Sequence, residues 1–294
     1  MGKITEKLKE GKILVSDGAW GTFLHAKGLQ SGQCPELWNI EHPDVVFDIA
    51  KSYLEAGADM VETNSFGGSS FKLAHYGLEL RASEFNQAAA AISRQAAGDK
   101  FVLGSVGPTG KILMMGEVTA EEVYNSFKEQ VIALERGGVD AIIIETMTDI
   151  DEARIAVKAA KENTSCEVIC TMTFQKTPDG EFRSMMGVSP TEMVLELVPE
   201  GVDIIGANCG NGIEGMIQIV NEIRLCNSRI PVLVHANAGM PVYDQGVTLF
   251  PETPEQTAGF IGAILKAGVN IIGGCCGTTP EHIRQIYRVV NEIK

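Results

Sequence analysis

The sequence predicts an α/β protein folded as a single (β/α)8 (TIM) barrel over residues 1–294. Short β-branched runs alternate eight times with longer segments of helical period, the pattern of repeated βα units. No linker or compositional break separates the units, so a length that alone would favour two domains fits one large barrel. An open doubly wound sheet is the alternative, although no GxGxxG follows the first strand.

Each unit contributes one strand and one helix. The candidate strands are too apolar to alternate, as expected of parallel strands buried on both faces; they are Ile13–Asp17, Met60–Asn64, Phe101–Ser105, Ala141–Glu145, Glu167–Thr173, Asp203–Ala207, Pro231–Ala236 and Asn270–Gly273. Amphipathic helices are predicted where apolar residues recur at i, i+3, i+4 and i+7, as in PDVVFDIAKSYLEAGAD, AEEVYNSFKEQVIALERGGVD and TPEQTAGFIGAILKAGVN. Glycine turns lead from several helices into the next strand, as in RGGVDAIII.

Composition and charge exclude two classes of partner. The chain has 24 lysines and arginines against 38 aspartates and glutamates, a net charge of −14, so the average surface repels a phosphate backbone. No stretch approaches the roughly 18 consecutive apolar residues of a transmembrane helix, and the charged first segment lacks the apolar core of a signal peptide. We therefore expect a cytoplasmic protein that binds neither nucleic acid nor membranes.

Three of the seven cysteines follow predicted strands. Cys209 follows the sixth strand, and Cys275 and Cys276 follow the eighth in the glycine-flanked turn GGCCGT. Because the carboxyl ends of barrel strands share one face, the three thiolates are expected to meet there. Such a set suits Zn²⁺ and leaves a fourth tetrahedral position open. The alternative is that they are small buried hydrophobes, which is the prediction for Cys34, Cys166, Cys170 and Cys226.

Other polar residues also end predicted strands. Glu145 directly follows a run of isoleucines, where an unpaired carboxylate is costly, and Asp17 is either a site residue or a helix-capping residue. We expect Glu62, Thr63 and Asn64 to line the barrel mouth, with Phe66 against the substrate. Asn208 either orients the turn at Cys209 or is a plain turn residue, and a structural role is favoured for His235.

Motifs at nearly every strand end resemble those of one enzyme family. They are DGAWGT at 17–22, ETNSFGG at 62–68, GSVGPTG at 104–110, IIIETM at 142–147, GANCGNG at 206–212, HANAGMP at 235–241 and GGCCGTTPEHI at 273–283. Together they resemble the homocysteine S-methyltransferase family, most closely the homocysteine-binding module of cobalamin-dependent methionine synthases. The resemblance covers essentially the whole chain.

The resemblance implies a zinc-dependent enzyme that transfers a methyl group to homocysteine, giving methionine. It implies Cys209, Cys275 and Cys276 as zinc ligands and the homocysteine sulfur as the fourth. Asp17 and Glu145 match acidic positions of the family and are the expected acceptors of the substrate ammonium. Backbone N–H groups of Gly18-Ala19 and Ala238-Gly239 are the expected donors to its carboxylate. Asn237 resembles an asparagine that can replace homocysteine on the zinc.

The methyl donor is the open question at this stage. NAG after the seventh strand and GTTPEH after the cysteine pair resemble the corrinoid-dependent branch of the family, so the resemblance implies methylcobalamin as the expected donor. The chain contains no second barrel for folate and no Asp-x-His-x-x-Gly corrinoid motif, so this donor is expected on a separate corrinoid protein. S-methylmethionine, S-adenosylmethionine and betaine are alternative donors. Two further hypotheses remain. One is a corrinoid-linked methyltransferase for another substrate, and the other is a non-catalytic barrel with a structural zinc whose fourth ligand comes from the protein.

Overall fold

A computed structural model describes residues 4–244 and 247–293; residues 1–3, 245–246 and 294 of the predicted domain lie outside this part. Eight parallel strands form one sheet in the spatial order β1-β8-β7-β6-β5-β4-β3-β2: β1 Leu14–Val15, β2 Met60–Glu62, β3 Phe101–Val106, β4 Ala141–Met147, β5 Glu167–Met172, β6 Ile204–Asn208, β7 Val232–Ala236 and β8 Ile271–Gly274. The Asp59 N–H donates to the Val15 carbonyl at 2.7 Å, so the two ends of the sheet meet. The predicted barrel is confirmed.

Helices cover the outside of the barrel. The α-helices are α1 Ile4–Lys9, α2 Gly21–Ala26, α3 Trp38–Glu41, α4 Pro43–Glu55, α5 Ser70–Leu73, α6 Ala82–Ala97, α7 Ala120–Gly137, α8 Ile150–Asn163, α9 Pro190–Leu197, α10 Ile213–Cys226, α11 Pro254–Ala267 and α12 Pro280–Ile293. Single 3₁₀ turns occur at Pro35–Leu37, Ala74–Tyr76, Glu79–Arg81 and Leu113–Met115. None of the described helices is long and apolar enough to cross a bilayer.

Local sequence signals set the ends of these helices. Thr119 begins α7 with a reciprocal capping box in which its hydroxyl and the Glu122 carboxylate each bond the other's backbone N–H. Gly138 ends the same helix at φ 101°, a left-handed conformation that costs other residues energy. The helices predicted from PDVVFDIAKSYLEAGAD, AEEVYNSFKEQVIALERGGVD and TPEQTAGFIGAILKAGVN are α4, α7 and α11.

The strand ends differ from the prediction by one or two residues. The apolar pattern of the sequence predicts a strand but not the residue at which its backbone hydrogen bonds to the neighbouring strand end. The first strand is the largest difference, since Leu14–Val15 replaces the predicted Ile13–Asp17. Two antiparallel hairpins were not predicted: one pairs Gln175–Lys176 with Phe182–Arg183 after β5, and the other pairs Val242–Asp244 with Val247–Leu249 after β7. Both lie in loops at the carboxyl ends of the strands.

The amino end of the barrel is closed, which leaves the carboxyl end for a site. Helix α1 places Ile4 and Leu8 against an interior cluster that includes Leu14, Leu103 and Ile143. Its first N–H groups are held by the Glu167 carboxylate, which accepts from the Ile4 N–H at 2.7 Å. A second, larger cluster fills the space between strands and outer helices.

Candidate metal and substrate site

A cavity of about 260 Å³ opens at the carboxyl ends of the strands. Its wall includes the three sulfur-bearing residues predicted as metal ligands and the three acidic residues Glu36, Glu62 and Glu145. No lysine or arginine occurs among the described residues that line it. The volume is below the roughly 300–1,000 Å³ of pockets for drug-sized ligands, so the cavity suits a small molecule. Its acidic lining suits a cationic group on that molecule, such as an ammonium.

The three cysteines meet at one side of this cavity. The sulfur atoms of Cys209, Cys275 and Cys276 all lie within 4.8 Å of one another. Strand β7 lies between β6, which Cys209 follows, and β8, which Cys275 follows. It hydrogen-bonds both cysteines: the Cys209 N–H donates to the His235 carbonyl at 3.0 Å, and the Cys275 N–H donates to the Ala236 carbonyl at 2.7 Å. These bonds fix the backbone of Cys209 and Cys275 relative to β7.

Cys209 has an unusual backbone conformation. Its φ is 58°, and Thr146 at the end of β4 has φ 61°; they are the two non-glycine residues with positive φ among the described residues. Such conformations are strained and concentrate at functional sites. The Asn208 amide links Thr146 to the sulfur cluster, since its Oδ1 accepts from the Thr146 N–H at 2.7 Å and its Nδ2 lies 4.0 Å from the Cys275 sulfur. Of the two roles predicted for Asn208, the contacts are those of an orienting residue.

The protonation of the three thiols favours a cation. Hydrogen bonds from Cys275 and Cys276 lower the pKa of Cys209 to about 3. Their bonds to Cys209 in turn raise the pKa of Cys276 to about 12 and that of Cys275 well above its usual value. One thiolate is thus tolerated without a metal, and further thiolates need a positive charge between the sulfurs. The donor set fits a soft or borderline metal ion.

Asn237 is a second amide beside the sulfur cluster. Its side chain hydrogen-bonds the Cys209 sulfur, and its Oδ1 is buried without a hydrogen-bond partner. Buried polar atoms are almost always paired, so this oxygen is an exception among the described residues.

A cluster of acidic groups forms the floor of the cavity. Burial raises the pKa of Glu145 well above its usual value, and the neighbouring Glu62 adds to the effect. Burial and Asp17 raise the pKa of Glu62 in the same way. Burial lowers the pKa of His235, whose Nδ1 lies 3.3 Å from Glu62 Oε1. A cationic group at this floor would offset the burial that raises the pKa values of these carboxyl groups.

Glu145 faces the cavity and keeps room for a ligand. Its Oε1 accepts from the Ser105 hydroxyl at 2.5 Å and its Oε2 from the Asn208 amide at 3.2 Å. Each oxygen of a carboxylate accepts about two hydrogen bonds. One position on each oxygen is therefore left for a donor in the cavity.

Asp17 lies beneath the cavity and is not among its lining residues. Its Oδ2 accepts from the Glu62 N–H and from the Trp20 indole, both at 2.9 Å, and its Oδ1 accepts from the Ser16 hydroxyl at 3.2 Å. The alternative of a helix cap does not describe it, since Trp20 is the residue at the cap of α2 and no side chain caps that helix.

Of the backbone segments predicted to donate N–H groups to the substrate carboxylate, one lines the cavity and the other does not. Gly18 and Ala19 line the cavity, and the Ala19 N–H donates to the Thr278 hydroxyl at 3.0 Å. Ala238 does not line it, and its N–H donates to the Cys276 carbonyl at 3.0 Å. The Ala238 contact supports the turn that carries Cys276.

Glu36 is a cavity residue that the sequence analysis did not identify. It lies in the 3₁₀ turn Pro35–Leu37 and is 3% exposed, and its Oε1 accepts from the Gly67 N–H at 2.7 Å. Glu36 follows a Cys-Pro pair and lies away from any predicted strand end, so the sequence did not indicate that its carboxylate reaches the cavity. The cysteines predicted to serve packing lie outside the sulfur cluster, and burial raises the pKa of Cys34 and of Cys166 to about 12.

Comparison with known proteins decides the family. The family model of homocysteine S-methyltransferases matches residues 14–290. This chain belongs to the homocysteine S-methyltransferase family. The family member methionine synthase of Mycobacterium tuberculosis is 34% identical over 96% of this chain, and that of Mycobacterium leprae is 32% identical over 95%. The chain spans about a quarter of the length of these relatives, 25% and 24% respectively.

Solved structures of the family share the fold. The metallated form of the homocysteine methyltransferase MmuM from Escherichia coli has a TM-score of 0.78 at 24% identity, covering 96% of this chain and 97% of that one. The apo form of the same protein has a TM-score of 0.76.

Proposed function

We propose that this homocysteine S-methyltransferase family member methylates homocysteine to methionine, with Zn²⁺ held by Cys209, Cys275 and Cys276. The observation that carries the proposal is the meeting of three sulfurs within 4.8 Å at the wall of an acidic cavity. Zn²⁺, when bound, lowers the pKa of a coordinated thiol and so supplies a thiolate at neutral pH. Three protein sulfurs leave one tetrahedral position for the substrate sulfur.

The residues around the sulfurs organise this site. The bonds from β7 hold Cys209 and Cys275 in place, so little conformational entropy is lost when the metal binds. Asn237 Oδ1 is proposed to take the fourth position until the substrate arrives, which satisfies a buried oxygen that otherwise has no partner.

The acidic floor is proposed to orient the amino-acid part of the substrate. Glu145 accepts the ammonium through the free positions of its two oxygens, and Asp17 adds negative charge from beneath. The turn at Gly18 and Ala19, which lines the cavity, is the proposed position of the substrate carboxylate. Ala238 acts here through its bond to Cys276.

The methyl transfer itself needs no proton donor or acceptor from the protein. An electron pair of the homocysteine sulfur forms the new S–C bond while the bond between the methyl carbon and the donor breaks, and that bond's electron pair leaves with the donor. The protein contributes by holding the sulfur and the methyl carbon in line.

The proposed donor is methylcobalamin carried by a separate corrinoid protein. A cavity of about 260 Å³ holds homocysteine but not a corrinoid ring, so such a donor has to approach from outside. Five exposed methionines lie on the loops after β3, β5 and β7, at the carboxyl end of the barrel; this methionine rim is Met114, Met115, Met185, Met186 and Met240. Flexible, polarizable methionines suit a surface that contacts a large apolar partner.

A donor assay tests the proposal. We expect the zinc-loaded protein to form methionine from homocysteine with free methylcobalamin, because the entrance is open to a large donor. S-methylmethionine, S-adenosylmethionine and betaine are supplied in parallel reactions, and methionine is quantified by mass spectrometry. Turnover with those three donors but none with methylcobalamin would contradict the corrinoid assignment while leaving the acceptor intact.

The methionine rim makes a separate prediction. We expect Met185→Glu to raise the KM for methylcobalamin about 5- to 10-fold, since one apolar contact is replaced by a charge. Met185 is 78% exposed, so the substitution should not disturb folding. Leu225→Glu is the matched control, because Leu225 is 89% exposed near the end of α10, away from the carboxyl ends of the strands. Equal KM values of the two variants for methylcobalamin would show that the methionine rim does not contact the donor.

A further inference from the structure

Thr278 lies between two turns at the carboxyl end of the barrel. One turn, at Gly18 and Ala19, follows β1 and lines the cavity, and the other carries Cys275 and Cys276 after β8. The Thr278 hydroxyl accepts from the Ala19 N–H at 3.0 Å and donates to the Cys275 carbonyl at 2.7 Å. A single oxygen atom therefore joins the cavity wall to the cysteine turn.

The backbone around this hydroxyl is glycine on both sides. A Cβ atom on Gly274 would come within 2.2 Å of the Thr278 oxygen, and a Cβ atom on Gly18 within 2.8 Å. Glycine at these two positions allows the hydroxyl to lie between the turns. Thr278 is 4% exposed and is not among the residues that line the cavity, so its bonds are shielded from water and hold backbone rather than a ligand.

Tyr53 holds the same turn from helix α4. It is fully buried, and its hydroxyl donates to the Ala19 carbonyl at 2.7 Å and lies 3.4 Å from the Thr278 carbonyl. Both backbone polar groups of Ala19 are thus bonded to side chains, the N–H to Thr278 and the carbonyl to Tyr53.

We infer that Thr278 is a positioning residue that couples the cysteine turn to the cavity wall, and that Tyr53 supports it. The inference rests on the proposed function and deepens it, because it names the group that holds the metal-bearing turn against the wall of the substrate cavity. Loss of the hydroxyl would leave the buried Ala19 N–H without its acceptor, which is costly. Groups that orient metal ligands without touching the metal typically change metal affinity about 10- to 100-fold when they are removed.

The test replaces the hydroxyl by a methyl group of nearly the same size. In Thr278→Val the Cys275 carbonyl still accepts from the backbone N–H of residue 278, a bond of 3.1 Å in the wild type, so the turn is expected to form. Zinc affinity is measured by competition with a chromophoric chelator. We expect Thr278→Val to raise the dissociation constant for zinc about 10- to 100-fold, and Thr278→Ser, which keeps the hydroxyl, to stay within about threefold of wild type.

Thr257→Val is the matched control. Thr257 lies on α11 and is 3% exposed, and its hydroxyl has no hydrogen-bond partner among the described residues. The same exchange there breaks no bond, so it should change neither zinc affinity nor, unfavourably, the free energy of unfolding. Urea denaturation of each variant provides the second readout, because a merely structural Thr278 would lower the free energy of unfolding and leave the zinc affinity of the folded protein unchanged.

Tyr53→Phe tests the coupling from the other side of the turn. It removes only the hydroxyl that bonds the Ala19 carbonyl, and we expect it to weaken zinc binding about 3- to 10-fold. Because Tyr53 and Thr278 hold the same residue, the double variant should lose less affinity than the product of the two single losses. If Thr278→Val does not fold, Tyr53→Phe decides the question alone.

Wild-type zinc affinity in folded Thr278→Val, or in Tyr53→Phe if that variant decides, overturns the inference, as does equal weakening by Thr257→Val. These titrations use no homocysteine and so separate the inference from the proposed function. If Thr278→Val binds zinc as tightly as a wild-type protein that forms methionine, the inference fails and the proposed function stands. If zinc binding weakens as expected but the wild type forms no methionine with any of the four donors, the proposed function fails and the role of Thr278 stands. A wild-type protein that binds no zinc overturns both.

Discussion

We expect Cys276→Ala to lose the metal and the methyl transfer together. Zinc sites with four protein ligands bind with about 10–16 kcal/mol, so one ligand accounts for roughly 3–4 kcal/mol, or about 10²–10³-fold in affinity. Cys276 lies 4.0 Å from the Cys209 sulfur and its loss leaves two sulfurs, too few to hold the ion tightly. Zinc per protein is measured by inductively coupled plasma mass spectrometry after dialysis, and turnover by methionine formation.

Two variants make this result specific. Cys276→Ser keeps the size of the side chain and reports on folding, while Cys226→Ala removes a half-buried thiol at the end of α10, outside the sulfur cluster. Cys226→Ala should keep both zinc and turnover. Full zinc occupancy in Cys276→Ala would mean that the metal ligands have been assigned to the wrong residues.

The second large effect, a loss of folding stability, is expected from a substitution in the barrel wall. Gly206 lies on β6 directly beside β7, where a Cβ atom would come within 1.8 Å of the Leu233 carbonyl oxygen. Both atoms belong to backbone, so the clash is relieved only by separating two paired strands. We expect Gly206→Ala to lower the free energy of unfolding by at least about 3 kcal/mol, measured by urea denaturation, and to reduce metal binding because Cys209 follows on the same strand end.

Gly259→Ala is the matched control for the backbone change. Gly259 lies inside α11 and a Cβ there would have no atom within 4 Å. Alanine favours a helix interior over glycine by about 1 kcal/mol, so this variant should be more stable than wild type. A Gly206→Ala protein as stable as Gly259→Ala would show that the β6–β7 contact tolerates a side chain.

The fold and the sulfur cluster could be predicted because both follow from simple periodic rules. Apolar runs and glycine turns at regular spacing predict parallel strands, and parallel strands in a barrel bring their carboxyl ends to one face. Cys209 and Cys275 are 66 positions apart in sequence, yet this rule alone places them together. The convergence of Cys209, Cys275 and Cys276 thus needed only the strand assignments to be right.

The parts that the sequence did not predict depend on side-chain contacts. Glu62 and His235 were both expected near the mouth, but their 3.3 Å approach joins strands β2 and β7, which are not neighbours in the sheet. Asp17 matched an acidic motif position, and only its three bonds show that it supports Glu62 and Trp20. The hairpin that pairs Gln175–Lys176 with Phe182–Arg183 is short and lies outside the main sheet. Its strands are therefore too short for an apolar pattern in the sequence to predict them.

The central claim is that homocysteine binds to the metal through its sulfur. Zinc K-edge X-ray absorption on the loaded protein tests it, because sulfur ligands at about 2.3 Å are distinguished from lighter ligands at about 2.0–2.2 Å. The expected spectrum has three sulfurs and one nitrogen or oxygen without homocysteine, and four sulfurs with it. An unchanged sulfur count after saturation with homocysteine would contradict the account.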